Sequence, residues 1–304
     1  MDTSPHKSDF VQVNGVQLHY LDWGGEGDVF LFLTGMDTSA HIYDRIAPRF
    51  TDRFRVLALT RRGQGESDYP ESGYDVPRLT DDIYQFMDAL QIEKAILAGH
   101  SLAGIELNHF AGTHSKRVRS LIYLDAHEDY RKFPEIRAKD PLKDIPPPIA
   151  QKEPTTIEEF IANSKASYPS LADIWDELWD LEISYEVTKN ENGIVVGKMS
   201  AGIAKQMLEA ANSYTPMRLP AHIPILRFFA MGFARLSDAY SEEQKAMAYQ
   251  YHEEVWLPYI KSLADEFRNI YPHARIIEIP DGHHYCFVAQ EEIVYQEMRK
   301  FLLE

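Results

Sequence analysis

Four short, almost wholly apolar runs constrain this chain more than any other feature: FLFLT at 30–34, RVLALT at 55–60, KAILAG at 94–99 and SLIYLDA at 120–126. A strand with one face in water alternates apolar and polar residues, so a run that is apolar at nearly every position needs cover on both faces. Between the runs lie stretches with helical spacing, such as Leu79, Ile83, Phe86, Met87 and Leu90, or Leu107, Phe110 and Ala111. Strand and helix in alternation predict an α/β fold, a mostly parallel sheet flanked by helices. The rhythm returns late in the chain, with ILRFFA at 225–230, a helix expected over 253–271, RIIEIP at 275–280 and a closing helix over 291–303. At the start, FVQV, Asn14-Gly15 and VQLHYLDW read as a hairpin, because Asn-Gly readily takes the positive φ angles of a two-residue turn.

From about 128 to 221 the rhythm breaks. That stretch holds Pro141 and Pro146-Pro147-Pro148, then helical patterns carrying Trp175, Leu178, Trp179 and Leu181, then a small hairpin around Asn192-Gly193. We read 1–127 and 222–304 as one core and 128–221 as an inserted, mostly helical cap, with a cleft between the two. Trp175 and Trp179, spaced i and i+4 on one expected cap helix, read first as packing residues that line the cleft only if the cap does.

Acidic residues outnumber basic ones 47 to 31, for a net charge of −16 in 304 residues, and that field repels nucleic-acid backbones and anionic membrane surfaces. The single cysteine, Cys286, excludes an internal disulfide and argues against a cysteine-based metal site, and its neighbours Phe287 and Val288 predict a buried, inert thiol. The opening MDTSPHKSDF has no apolar signal core, and no run approaches a membrane span, so a cytoplasmic protein is expected. No spacing suits zinc or calcium, and the lone GQG is no phosphate loop; neither metal nor cofactor is expected. A small-molecule substrate is the partner class that remains, and nothing in the chain specifies an oligomeric state.

Residues 98–104 read AGHSLAG, with Ser101 where the apolar strand must turn sharply into a helix. Such a turn strains the serine backbone and needs small residues two positions to either side, which Gly99 and Ala103 supply. With NGVQLHYLDWG, TGMDTSAH, TRRGQGESD, YLDAHEDY and DGHHYCF in this order, the chain resembles the α/β-hydrolases over almost its whole length. The resemblance implies a sheet of the eight-stranded type and acyl transfer, in which a serine attacks a carbonyl, a histidine moves the proton and an acid orients the histidine.

Among twelve histidines, His283 and His284 follow the last apolar strand and precede the closing helix, at the sheet edge that also carries Ser101. The aromatic Tyr285 and the distance to the helix favour His284 as general base, with His283 as its alternative. For the acid, the resemblance offers Asp125, at the end of SLIYLDA, or Asp238, eight residues beyond Ala230; we favour Asp125. The oxyanion donors would be the backbone N–H groups of Met36 and Leu102. Two departures from the family stand nearby: Thr34 where a histidine commonly precedes Gly35, and Thr60 where many relatives carry aspartate, which puts one supporting hydrogen bond in doubt. TRRGQGESD reads as a brace under the site, while His41 and Asp37 read as polar groups of the pocket, with helix capping the favoured role for Asp37.

The function expected is that of a serine hydrolase, esterase-like, acting on a small to medium, largely apolar ester, lactone or related acyl compound. Two alternatives use the same site: ligand sensing, or a non-ester reaction such as carbon–carbon bond hydrolysis or cofactor-free lyase or oxygenase chemistry. A serine nucleophile disfavours the dehalogenase and epoxide hydrolase branches, which use aspartate.

Overall fold

The computed structural model describes residues 5–145 and 153–304; the Pro146-Pro147-Pro148 run lies outside the described residues. Strands β1 (Lys7–Val13) and β2 (Val16–Gly24) form the expected hairpin, turning at Asn14 with φ 50° and Gly15 with φ 76°. The four apolar runs become β3 (Asp28–Leu33), β4 (Phe54–Leu59), β5 (Ala95–His100) and β6 (Val118–Leu124). Strands β7 (Val187–Lys189) and β8 (Val195–Gly197) pair with each other, and β9 (Ile225–Ala230) and β10 (Arg275–Ile279) rejoin the main sheet. That sheet has eight strands in the order β1-β2-β4-β3-β5-β6-β9-β10. Its first two pairings are antiparallel and the rest parallel.

Register explains why the runs are continuous. Leu57, Leu31, Leu97, Leu121 and Ile225 lie side by side across five strands on one face. Ala58, Phe32, Ala98, Ile122 and Leu226 form the matching row on the other. All ten residues are fully shielded from water, and each large side chain among them stabilises the fold by roughly 1.5–3 kcal/mol.

The first row is covered by α1 (Val76–Ala89) and α2 (Ala103–Thr113), through Ile83, Phe86, Leu107 and Phe110. Asp75 caps α1 by accepting from the Arg78 N–H at 3.0 Å. Between β6 and β9 run α3 (Phe133–Arg137), α4 (Ile157–Ser167), α5 (Pro169–Ala172), α6 (Glu177–Glu186), the β7–β8 hairpin and α7 (Ala201–Ser213). After β9 come α8 (Glu242–Tyr251) and α9 (Leu257–Ile270), and after β10 come α10 (Cys286–Ala289) and α11 (Glu291–Leu303). Val294 and Met298 of α11 cover the second row.

Two helical expectations shift. The helix placed over 253–271 is the second half of a longer run, joined to α8 by a π-helical turn at His252–Trp256. Trp175 precedes α6 instead of sharing it with Trp179, although the two rings remain 5.7 Å apart. Among the described residues no helix is long and apolar enough to cross a membrane.

Candidate active site

Strand β5 ends at His100 and α2 begins at Ala103, so the chain reverses through Ser101 and Leu102 alone. Ser101 takes φ 53°, a left-handed conformation that is strained for any side chain but glycine. The small neighbours are needed for contact as well as for the turn. A Cβ on Gly99 would lie 2.9 Å from the Ala103 Cβ and 3.0 Å from Leu107, so both sides of the elbow must stay small. One on Gly104 would lie 2.3 Å from the His127 carbonyl oxygen, because the loop after β6 runs directly over α2. Gly104→Ala is therefore expected to cost ~1–3 kcal/mol of stability, as overpacking does, and to displace that loop; urea unfolding measures it.

The loop in question carries Asp125, itself at φ 44°. Its Oδ2 lies 2.7 Å from Nδ1 of His284, and its Oδ1 accepts from the Ala230 N–H at 2.9 Å. Burial works against its ionisation, but the hydrogen bond and charge of His284, helped by His127 and the Ala230 amide, hold the carboxyl below its usual range. An ionised carboxylate only accepts, so Nδ1 of His284 carries the proton and Nε2 is left as the basic nitrogen. The His284 side chain is 48% exposed whereas Asp125 is 10% exposed, so the buried partner anchors one that is open to solvent.

The alternatives lie elsewhere. His283 Nδ1 accepts from the Tyr285 amide at 3.0 Å, its own amide donates to Gln290 at 3.0 Å, and burial pushes its imidazole down to about 4. Asp238 is 93% exposed and lies 3.7 Å from Lys245, and among the described residues no hydrogen bond or ion pair joins it to His284. Cys286 is buried, and burial drives its thiol well above the usual range, the reverse of what a nucleophile needs.

The loop after β3 meets the elbow: a Cβ on Gly35 would lie 3.3 Å from that of Ser101. Arg61 holds this loop from below, donating to the Thr34 and Gly35 carbonyls at 2.8 and 2.7 Å while it forms a two-pronged pair with Glu106. Gln64 donates to the Gly35 and Thr38 carbonyls and accepts from the Asp37 amide. TRRGQGESD thus braces the loop from which Met36 would offer its N–H. Thr60, which stands where many relatives carry aspartate, accepts from the Ala40 amide at 3.0 Å.

Two readings of this loop are corrected. Ser39, not Asp37, caps the short helix at Ala40–Tyr43, and Asp37 instead takes φ 60°. His41 is buried, paired with Asp44 at 2.9 Å and stacked flat on Tyr185 of α6, so it belongs to packing. Ligand atoms of His6, His41 and Asp44, and of His19, His41 and Glu66, lie within 4.8 Å of one another. Hydrogen bonds already engage these groups, His19 with Thr60 at 3.0 Å and Trp23 with Asp44 at 3.2 Å, and a hydrogen-bonded cluster accounts for them.

Sequence reading missed the two buried glutamates of α6. Glu182 accepts from the Ser39 amide and hydroxyl, at 2.5 and 2.6 Å, which ties the intervening segment to the loop after β3. Glu186 is pushed up to about 7 by burial, with repulsion from Asp37 adding to it and the Gly65 amide and Lys198 opposing it. A carboxyl raised in the folded state binds more protons there than in the unfolded chain, so it destabilises progressively as pH rises from about 4.5 to about 7. Glu186→Gln is accordingly expected to raise the unfolding free energy by ~1–3 kcal/mol at pH 8 and by little at pH 4.5; urea titrations at both values measure this.

A model of the α/β-hydrolase fold matches residues 28–214. The chain belongs to that family. One curated relative, 2-(acetamidomethylene)succinate hydrolase of Mesorhizobium japonicum, is 33% identical over 119 residues, 39% of this chain and 41% of the relative. Another, an AB hydrolase superfamily protein of Bacillus subtilis, is 26% identical over 66% of this chain and 73% of its own length. Among solved structures, E-2-(acetamidomethylene)succinate hydrolase superposes with a TM-score of 0.74 over 98% of this chain and all of that one, at 20% identity.

Proposed function

We propose that this protein is a serine hydrolase of small to medium, largely apolar esters, lactones or related acyl compounds. The Oγ of Ser101 attacks the carbonyl carbon as Nε2 of His284 takes its proton. Asp125 holds the imidazole in the required tautomer and stabilises the imidazolium as it forms. The N–H groups of Met36 and Leu102 receive the negative oxygen of the tetrahedral intermediate. His284 then protonates the leaving alcohol, and water, activated by the same imidazole, hydrolyses the acyl-enzyme.

The observation that carries this reading is the 2.7 Å contact between His284 and Asp125 at the sheet edge where Ser101 is held at a strained φ of 53°. The wall near the elbow supports an apolar substrate: Leu102 and Ile105 pack with Ile203 and Met207 of α7, while Met36, Tyr69, Tyr130 and Met199 are partly exposed around them. These α7 residues would form part of the cap.

A succinate derivative, the compound that names the relative above, carries two carboxylates and requires cations. Among the described residues the buried Arg61, Arg62 and Arg227 are already paired with Glu106, Asp82 and Glu128, and the half-buried Lys198 donates to the Gly65 and Tyr185 carbonyls. We therefore place neutral acyl compounds ahead of dicarboxylates. A panel of p-nitrophenyl esters of graded chain length, with lactones, a dicarboxylate ester and a carbon–carbon bond substrate, tests this. Fastest turnover of a neutral ester or lactone is expected; preference for the carbon–carbon substrate would move the reaction to another class.

A further inference from the structure

We propose that His100 is a positioning residue, fixing the spacing between nucleophile, base and oxyanion loop through one hydrogen bond and one contact. It precedes Ser101 on β5 and is 1% exposed. Its Nε2 lies 3.0 Å from the backbone carbonyl oxygen of His284. A carbonyl can only accept, so Nε2 carries the proton and Nδ1 is a bare lone pair. That Nδ1 is buried and accepts no hydrogen bond from the described residues, and it lies 2.8 Å from where a Cβ on Gly35 would sit. His100 thus meets all three parts of the site: its backbone continues into Ser101, its Nε2 bonds the His284 carbonyl, and its ring fills the space beside Gly35 that a Cβ would otherwise take.

The base needs such a support. Asp125 holds only the ring of His284, whose side chain is half-exposed on the loop between β10 and α10. The neighbouring residues tie down the flanks of this loop, with His283 bonded to Gln290 and Trp179 set edge-on against Tyr285 at 4.8 Å. The carbonyl of His284 itself is tied down by His100. Burial, with the nearby His284, holds the His100 imidazole well below its usual range. The ring therefore stays neutral at working pH and keeps its donor.

Ring packing is the competing explanation, since His100 also meets His284, Tyr285 and Phe287 at centroid distances of 4.5, 4.6 and 5.1 Å. Two variants separate the roles. His100→Phe keeps an aromatic ring and loses the donor; His100→Gln loses the ring and keeps an amide N–H near the position of Nε2. Positioning predicts that His100→Phe lowers kcat about 10- to 100-fold with KM nearly unchanged, as small misplacements of reacting groups do, and that His100→Gln restores most of it. Packing predicts the opposite order, which would overturn the proposal.

The kinetic readout rests on the hydrolase reading above, so a second is taken without substrate: the low-field proton resonance between His284 Nδ1 and Asp125. It is expected to be sharp in the wild type and in His100→Gln, and broadened or lost in His100→Phe even where thermal unfolding shows a folded protein. An unchanged resonance in folded His100→Phe would overturn the proposal. Inactivity of every form with the resonance following the donor would instead contradict the hydrolase reading and leave the positioning role standing.

Discussion

Replacing Ser101 with glycine is expected to abolish ester turnover and, in the same variant, to raise the unfolding free energy by ~1 kcal/mol. The gain follows from the backbone: at φ 53° a serine is strained and a glycine is not. The loss follows from chemistry, since no other group can form the acyl-enzyme at that point, and a fall of ~10⁴-fold or more in kcat is expected. Ser101→Ala should show the same loss without the stability gain, because alanine keeps its Cβ. Steady-state kinetics beside urea unfolding separate the two effects. A glycine variant that is inactive and less stable than the wild type would mean that the serine hydroxyl, not the strain, dominates the energetics of the elbow.

Asp125→Asn is expected to lower kcat by ~10⁴-fold, while Asp238→Asn stays within about twofold of the wild type. Asparagine preserves size and tolerates a positive φ, so the 44° backbone survives. The amide no longer demands the Nδ1–H tautomer of His284, and Nε2 ceases to be reliably the base. The acid effect on stability has a definite sign. Asp125 is held below its usual range in the fold, so its ionised form stabilises the protein above the unfolded pKa of about 3.9. That contribution is lost as pH falls through the folded value, so the stability gap between wild type and Asp125→Asn should close in strong acid. Equal losses for both aspartate variants would sink the assignment.

Much of the fold was legible because both faces of the central strands are buried, and that condition writes itself into FLFLT, RVLALT, KAILAG and SLIYLDA as unbroken apolar runs. The hairpin was legible because Asn14-Gly15 suits few other conformations. The small residues around Ser101 singled out that turn, and the family resemblance offered His284 and Asp125, two side chains that the structure brings to 2.7 Å of each other. What could not be read was long-range pairing: Glu182 meets Ser39 across 143 residues, and Arg227 meets Glu128 across 99. The placement of Trp175 on a helix with Trp179 and the capping role of Asp37 failed because i, i+4 spacing and capping propensity are local signals that tertiary contacts override. His100 drew no reading from the sequence, because its partner is a backbone carbonyl 184 residues away, and backbone groups leave no mark in sequence.

The most direct measurement is intact-mass analysis after treatment with a fluorophosphonate, followed by peptide mapping. The account predicts one adduct per chain, located at Ser101, absent in Ser101→Ala and formed much more slowly in Asp125→Asn. An unlabelled wild-type protein, under conditions that label a control serine hydrolase, would contradict it.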